Sequence, residues 1–317
     1  MYKPFMVSII IPTYNRSSLF AEAIHSCIAQ TYRPIECIVV DDGSTDDTEN
    51  VIIRLQENID NDFTIKYIFQ SKRGSQVARN TGTAIASGEF IQYLDSDDLL
   101  YPDKLSIQVQ YLQLNPDCSG VFGDWEHGES DQHEFVQAYL SRDIIYQLLA
   151  DRPIANFSFL MRNDLIKLIG DWDNNISRNQ EIDYHLRGLL TGAIYHYLPG
   201  TTGLWRTHEG QRIFNNSTFS SAIGFYQKWE TILKEKSLWT PKLQHGVVGN
   251  YMWFLGAYPH SSNEEMVKLL QEIKRLEHIQ SIFNTYKFKV VQLLLGEKTA
   301  MSTWVNRYKK SKKSRIY

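Results

Sequence analysis

Four short apolar runs in the first hundred residues, separated by amphipathic stretches, constrain this chain more than any other feature. Residues 7–11 (VSIII) and 35–40 (IECIVV) are continuous and rich in β-branched side chains, the pattern of strands covered on both faces. Residues 64–69 (TIKYIF) and 89–94 (EFIQYL) supply two more. Between them, residues 17–30 put Leu19, Ala23, Ile24, Cys27 and Ile28 on one helical stripe. Residues 45–58 read as a second helix with an acidic first turn, and 75–87 as an alanine-rich, closely packed third. Strand and helix alternating at this spacing predict right-handed crossovers and a mostly parallel sheet. Ligands of such a sheet belong at the carboxyl ends of its strands.

Composition narrows the class. The 317 residues allow one large domain or two ordinary ones, and 43% hydrophobic with 22% charged residues describes a globular protein. A net charge of −3 gives no global basic surface, so nucleic acid is not an expected partner. Cys27, Cys37 and Cys118 are too few for a disulfide framework and lack C-x-x-C spacing, which fits a reducing cytosol. The opening MYKPFMVSIIIP has no signal-peptide pattern, and no run of about 18 apolar residues exists. Any contact with a membrane is therefore expected at its surface. Residues 307–317 hold Arg307, Lys309, Lys310, Lys312, Lys313 and Arg315 without an acid.

Three polar segments stand where the predicted strands end: PTYNR at 12–16, DDGSTDD at 41–47 and DSDD at 95–98. Asp, Ser and Thr also cap helices and make turns, and Ser44, Thr45 and Asp46 admit that reading. DSDD is harder to explain so. Three carboxylates after a buried strand raise one another's pKa unless a cation sits among them, and a divalent ion held by oxygen ligands is the economical answer.

VSIIIPTYNR, IECIVVDDGSTDDT, ARNTG and EFIQYLDSDDLLYPDKL, in this order, resemble the N-terminal half of glycosyltransferase family 2. The resemblance is strong over residues 5–115 and continues more weakly to about 212. It implies the α/β GT-A fold, a Rossmann-like and mostly parallel central sheet flanked by helices. It also implies an inverting transfer of sugar from a nucleoside diphosphate sugar, expected to be a UDP-sugar, to an acceptor hydroxyl. By the same resemblance Tyr14 lies over the base, Asp42 accepts the uracil N3 hydrogen and Pro12 offers its carbonyl. Asn15 and Arg16 share that nucleotide-binding segment, and Arg73 and Arg79 contact base or phosphate. Asp97 reaches the ribose or diphosphate, while Asp98 ligates Mn²⁺ or Mg²⁺ with Asp95 in support. The cation would steady the charge on the departing diphosphate.

The family's general base is usually an Asp after Glu, six residues before an Arg. In NQEIDYHLR, residues 179–187, Glu181 holds that place before Arg187, Gln180 replaces the usual Glu, and Asp183 is the alternative base. WRTHEGQ at 205–211 resembles the family's R-x-H motif, so His208 is expected at the metal or a phosphate, with Arg206 beside it. FGDW, after a predicted strand 119–123, puts Asp124 and Trp125 where the family lines its donor and acceptor pocket.

Beyond residue 215 the segments 219–236, 242–257, 263–283 and 286–296 read as helices that cap the catalytic domain or pack on another subunit. The expected division is a catalytic domain 1–215, a helical region 216–306 and a basic tail 307–317. The tail suits anionic lipid headgroups at about 1 kcal/mol per cation. Acceptors of this family are often lipid-linked glycans, so the expected setting is the cytoplasm, at the inner face of the plasma membrane. A sugar-nucleotide pyrophosphorylase would need a Gly- and Arg-rich loop where PTYNR stands. The competing reading is a catalytically weak nucleotide-sugar-binding protein of the same fold, suggested by Glu181 in place of Asp.

Overall fold

The computed structural model describes residues 2–57, 59, 61–129, 131–138, 143–151, 154–208, 219–257 and 263–276. The expected helix 286–296 and the basic tail 307–317 lie outside the described residues.

The first quarter folds as its periodicity dictates: β1 (Lys3–Thr13), α1 (Ser17–Ile28), β2 (Ile35–Asp41), α2 (Thr48–Gln56), β3 (Phe63–Phe69), α3 (Ser75–Ile85) and β4 (Gly88–Tyr93). The four strands lie parallel in the order β3-β2-β1-β4. Val7, Ile9, Ile10 and Ile11 are fully buried, each worth about 1.5–3 kcal/mol over exposure. α3 presses tightly on the sheet at Gly82, where a Cβ would lie 2.6 Å from Ile10 Cγ2. α2 begins three residues later than its pattern suggests. Asp46 sits in the preceding turn instead, accepting from the Ser17 and Thr48 N–H groups at 2.9 and 3.2 Å.

Past β4 the sheet is mixed. β5 (Leu99–Leu100), β6 (Gly120–Gly128), β7 (His133–Val136), β8 (Leu160–Arg162) and β9 (Tyr195–Arg206) complete nine strands in the order β3-β2-β1-β4-β8-β6-β9-β5, with β7 on β6. β8 is antiparallel to both β4 and β6, and β6 is parallel to β9. β6 and β9 therefore run in the direction of β4, and their carboxyl ends reach the same edge of the sheet. The mostly parallel expectation holds for the six strands β1–β4, β6 and β9, which run in one direction, whereas the antiparallel β5, β7 and β8 are too short to carry a readable period. α4 (Lys104–Leu114), α6 (Asn163–Ile169) and α7 (Gln180–Leu190) belong to the same unit, whereas α5 (Ile144–Tyr146) belongs to a second.

That first compact unit spans Met1–Arg142, Pro153–Asn175 and Gln180–Gly210. The second comprises Asp143–Arg152, Ile176–Asn179 and Gln211–Tyr317, and includes α8 (Phe219–Glu235), α9 (Pro241–Ala257) and α10 (Asn263–Leu276). Trp229, Leu233, Val247, Tyr251 and Leu269 are buried there. Glu230, nearly buried, ties α8 to α10 by accepting both Arg275 Nη groups at 2.9 and 2.5 Å.

Glu36 is a charge buried inside the sheet. Glu36 in β2 is 1% exposed and accepts from Lys66 Nζ at 2.6 Å and from Ser8 Oγ and the Ser87 and Gly88 N–H groups. Burial opposes its ionisation, but Lys66, Ser8 and Ser87 outweigh that and hold its carboxyl below the usual 4.5. Three strands and the turn into β4 thus share one carboxylate. Glu36→Leu should cost about 3 kcal/mol in urea unfolding at pH 7, because it strands these donors. A depressed carboxyl stabilises above its unfolded pKa and loses that contribution as pH falls through the folded one. The gap between wild type and variant should therefore shrink below pH 4.5, and a constant gap from pH 7 to 3 would contradict the assignment.

Candidate active site

The carboxyl ends of β1, β2 and β4 bring the three polar segments together, and they are stitched by side chains. Asn15, at φ 50°, donates its N–H to Ser44 Oγ at 2.9 Å and accepts the Thr45 N–H on Oδ1 at 2.7 Å. Asp41 takes the Ser44 N–H and the Tyr67 hydroxyl. Asp42, 5% exposed, accepts Gln70 Nε2 and the Arg73 N–H on Oδ1 and the Gly74 N–H on Oδ2, at 2.7 to 2.8 Å. The side-chain oxygen of Asn15 thus serves the protein, unlike the expected nucleotide contact. Pro12 is buried within β1 opposite Val40. Tyr14 is 37% exposed, with Lys72 Nζ 3.7 Å above its ring. Arg73, next to Lys72 in the chain, is exposed.

The DSDD carboxylates meet cations supplied by the chain itself. Asp95 Oδ1 accepts Arg79 Nη2 at 2.6 Å. Asp97 Oδ2 accepts Arg16 Nη1 at 2.5 Å and lies 2.9 Å from His208 Nε2. Burial works against ionisation of Asp97, but Arg16 and His208 hold its carboxyl below the usual range. Asp98 is left in surplus. Burial, with Asp97 and Asp95 beside it, pushes its carboxyl well above the usual range, and the Arg206 N–H at 3.2 Å only moderates this. Hard oxygen donors with uncompensated negative charge next to an imidazole fit a divalent cation in kind. Among the described residues, no group of three or more His, Cys, Asp or Glu is already arranged as a metal cage.

Arg206 takes a different place from the one expected. It is 3% exposed and binds Glu22 at 2.6 Å, the Asp97 carbonyl at 2.5 Å and the Leu19 carbonyl at 3.0 Å, so it ties the end of β9 to α1 and DSDD. Arg79 differs too. It is buried behind the site, with Gln180 Oε1 at 3.1 Å, Glu181 Oε1 at 3.8 Å and its guanidinium 4.5 Å over the Trp172 ring. Trp172 in turn stacks on Tyr184 at 4.2 Å.

α7 presents its acids unequally. The Glu181 side chain is one-third exposed, and burial with Asp95 raises its carboxyl although Arg79 opposes this. Asp183 is 1% exposed and bound to Arg187 Nε at 2.9 Å, which withdraws the alternative base from solvent. Asp124, also buried, accepts the Ala138 N–H, the Tyr197 hydroxyl and the Gly200 N–H. Trp125 is 3% exposed within β6. Neither presents an open surface, because Asp124 is taken up by Ala138, Tyr197 and Gly200 and Trp125 lies in the sheet opposite Val136 of β7.

Residues 8–187, more than half of the chain, match the family described as Glycosyl transferase family 2. The chain belongs to that family. The chain is 33% identical over 242 residues to an uncharacterized glycosyltransferase of Rickettsia typhi, covering 74% of this chain and 73% of that one. It spans only 24% of the length of two other matched relatives, from Rickettsia felis and Rickettsia conorii. In fold it is similar to S. aureus TarS in complex with UDP-GlcNAc, with a TM-score of 0.68, 17% identity, and 96% and 92% of the two chains covered. A mannosyltransferase from Pyrobaculum calidifontis in complex with GDP-Man and Mn²⁺ gives a TM-score of 0.56 at 18% identity, with 96% and 84% covered. The fold is GT-A.

Two features of the site escape the sequence. Lys72 carries no motif signal, since its place over Tyr14 depends on two loops that Asp42 joins. Trp172 and Gln180 serve Arg79 across about a hundred residues, and only the ARNTG motif hinted that Arg79 had partners. Arg79→Met should leave Asp95 and Glu181 without their shared cation and lower stability by about 3 kcal/mol. Arg79→Lys should recover only part of it, because a point charge cannot reach both acids and Gln180. Urea unfolding checks this, and an Arg79→Met protein as stable as wild type would contradict it.

Proposed function

We propose that this chain is an inverting glycosyltransferase that moves a sugar from a UDP-sugar to an acceptor hydroxyl in the assembly of a surface polysaccharide or glycoconjugate, with Glu181 as general base. Glu181 carries the reading: it is the partly exposed carboxylate of α7, raised in pKa, beside the strand-end acids. A carboxylate poised closer to neutrality collects a hydroxyl proton better than an ordinary one.

In this scheme Tyr14, Asp42, Arg73 and the carbonyl of Pro12 hold the nucleoside. Arg16 and Asp97 order the ribose and diphosphate side. Asp98, with Asp95 and His208, would hold a divalent cation, Mn²⁺ or Mg²⁺, whose chemistry is to stabilise negative charge on the diphosphate. Glu181 orients the acceptor hydroxyl on the opposite face of the sugar and takes its proton. The acceptor oxygen then bonds to the anomeric carbon as the bond to the diphosphate oxygen breaks. The electron pair leaves with the nucleoside diphosphate, and attack from the opposite face inverts the configuration. Arg79 fixes Glu181 and Asp95 relative to each other, and Arg206 fixes the end of β9, from which the loop with His208 follows.

The bound donors of the TarS and mannosyltransferase structures support a nucleotide-sugar donor. The acceptor fits a glycan or lipid-linked glycan. Among the described residues no helix is long and apolar enough to cross a membrane. The proposed organisation is a catalytic domain 1–215, a helical region 216–306 and a tail 307–317 that meets anionic headgroups at the inner membrane face.

Glu181→Gln keeps the size and removes the base, so turnover should fall about 10²–10⁴-fold with donor affinity nearly unchanged. Steady-state transfer or slow donor hydrolysis, with calorimetry of UDP, measures both. An undiminished rate would remove Glu181 from the role. A wild type that binds UDP-sugar and never turns it over would favour the binding-protein reading.

A further inference from the structure

Trp172, 2% exposed, is gripped from two neighbouring positions of α3. Asn80 holds its backbone, accepting the Trp172 N–H on Oδ1 at 2.8 Å and donating Nδ2 to the Trp172 carbonyl at 3.0 Å. Arg79 lays its guanidinium over the indole, 4.5 Å from the ring centre. The same indole stacks on Tyr184 of α7, with ring centres 4.2 Å apart and planes 9° from parallel, and meets Tyr93 of β4 at 86°, 5.0 Å away. Tyr184 stands three residues after Glu181, on the same side of that helix. One aromatic plate therefore joins the helix that carries Arg79 to the helix that carries Glu181.

The plate bears on how the base is left. Arg79 Nη2 binds Asp95 at 2.6 Å but stays 3.8 Å from Glu181 Oε1, too far for a hydrogen bond. Opposite charges this close, away from bulk water, attract strongly, so the gap needs something to keep it open. Gln180 takes Arg79 Nη1 at 3.1 Å, and the indole supports the guanidinium from its face. Asp183 and Arg187 show the alternative on the same helix, a closed pair at 2.9 Å. A carboxylate closed in that way commits an oxygen to its partner instead of to an incoming hydroxyl. With Trp172 cut back to an aliphatic side chain, the guanidinium loses its support and Tyr184 its stack. Arg79 and α7 are then free to make the shift of about 1 Å that closes the pair.

We propose that Trp172 is a positioning residue for Glu181, its indole holding Arg79 and α7 at the spacing that keeps the Glu181 carboxylate out of a closed ion pair and open to the acceptor hydroxyl. This rests on the reading of Glu181 as general base above. Turnover is read as hydrolysis of UDP-glucose, UDP-galactose or UDP-GlcNAc with Mn²⁺, water taking the place of the acceptor hydroxyl, and donor affinity by calorimetry of UDP. Trp172→Leu should lower kcat roughly tenfold or more, with UDP affinity within about twofold of wild type. Trp172→Phe keeps a ring against the guanidinium and should recover most of the rate. In a Glu181→Gln background the Trp172→Leu change should alter kcat by less than about twofold, because residues that act through one carboxylate do not add. A loss as large in that background as in wild type overturns the proposal, by making the defect one of general packing, and so does an undiminished kcat for Trp172→Leu. Should Trp172→Leu not fold, Tyr184→Leu removes the other half of the stack and is read through the same cycle. Glu181→Gln turning over at the wild-type rate overturns the base reading instead, and a wild type that hydrolyses none of the three donors overturns the transferase reading beneath both.

Discussion

Carboxylates crowded at the ends of parallel strands repel one another, and the rest of this site is arranged around that repulsion. Asp95, Asp97 and Asp98 follow β4 directly, where little water screens them. Arg79 meets Asp95, Arg16 and His208 meet Asp97, and the backbone of Arg206 meets Asp98. Each of these partners comes from a different element: α3, the loop after β1, the loop after β9 and the end of β9 itself. Neutralising the acids therefore also fixes how the strand-end loops lie.

Compensation is incomplete in two places. Asp98 keeps a raised carboxyl, and so does Glu181, whose contact to Arg79 is long at 3.8 Å because Asp95 holds that guanidinium closer. A cation beside Asp98 and a proton on Glu181 would each relieve that lack of compensation. These are the two demands of a displacement in which a diphosphate departs and a hydroxyl arrives. Asp183, paired with Arg187 in the same helix, shows the opposite outcome, in which full compensation turns an acid into structure.

The strand runs VSIII, IECIVV, TIKYIF and EFIQYL were legible because a buried parallel strand needs continuous apolar residues, and so were the carboxyl-end segments. Glu181 could be put forward as the base because its spacing to Arg187 is local to one helix. Arg79, Arg206 and Asp124 are held by partners far along the chain, Gln180, Glu22 and Tyr197, and Trp125 by its place opposite Val136 of β7, none of which the sequence displays. Asn15 was read as a ligand contact, whereas a polar side chain at positive φ is equally suited to hold its neighbouring loop. Short strands such as β8 left no signal, so the change from a parallel to a mixed sheet was invisible. Glu36, a lone acid in an apolar run, gave a hint that only Lys66 on the neighbouring strand explains.

The central claim is that the surplus negative charge at DSDD is completed by a divalent cation when the donor binds. Calorimetry of UDP with the wild-type protein, once with Mn²⁺ and once with a chelator, tests it most directly. The account predicts binding with Mn²⁺ at least tenfold tighter, about 1.4 kcal/mol, with the dependence lost when Asp98 is replaced by Asn. Equal affinity for UDP with and without the metal would contradict it.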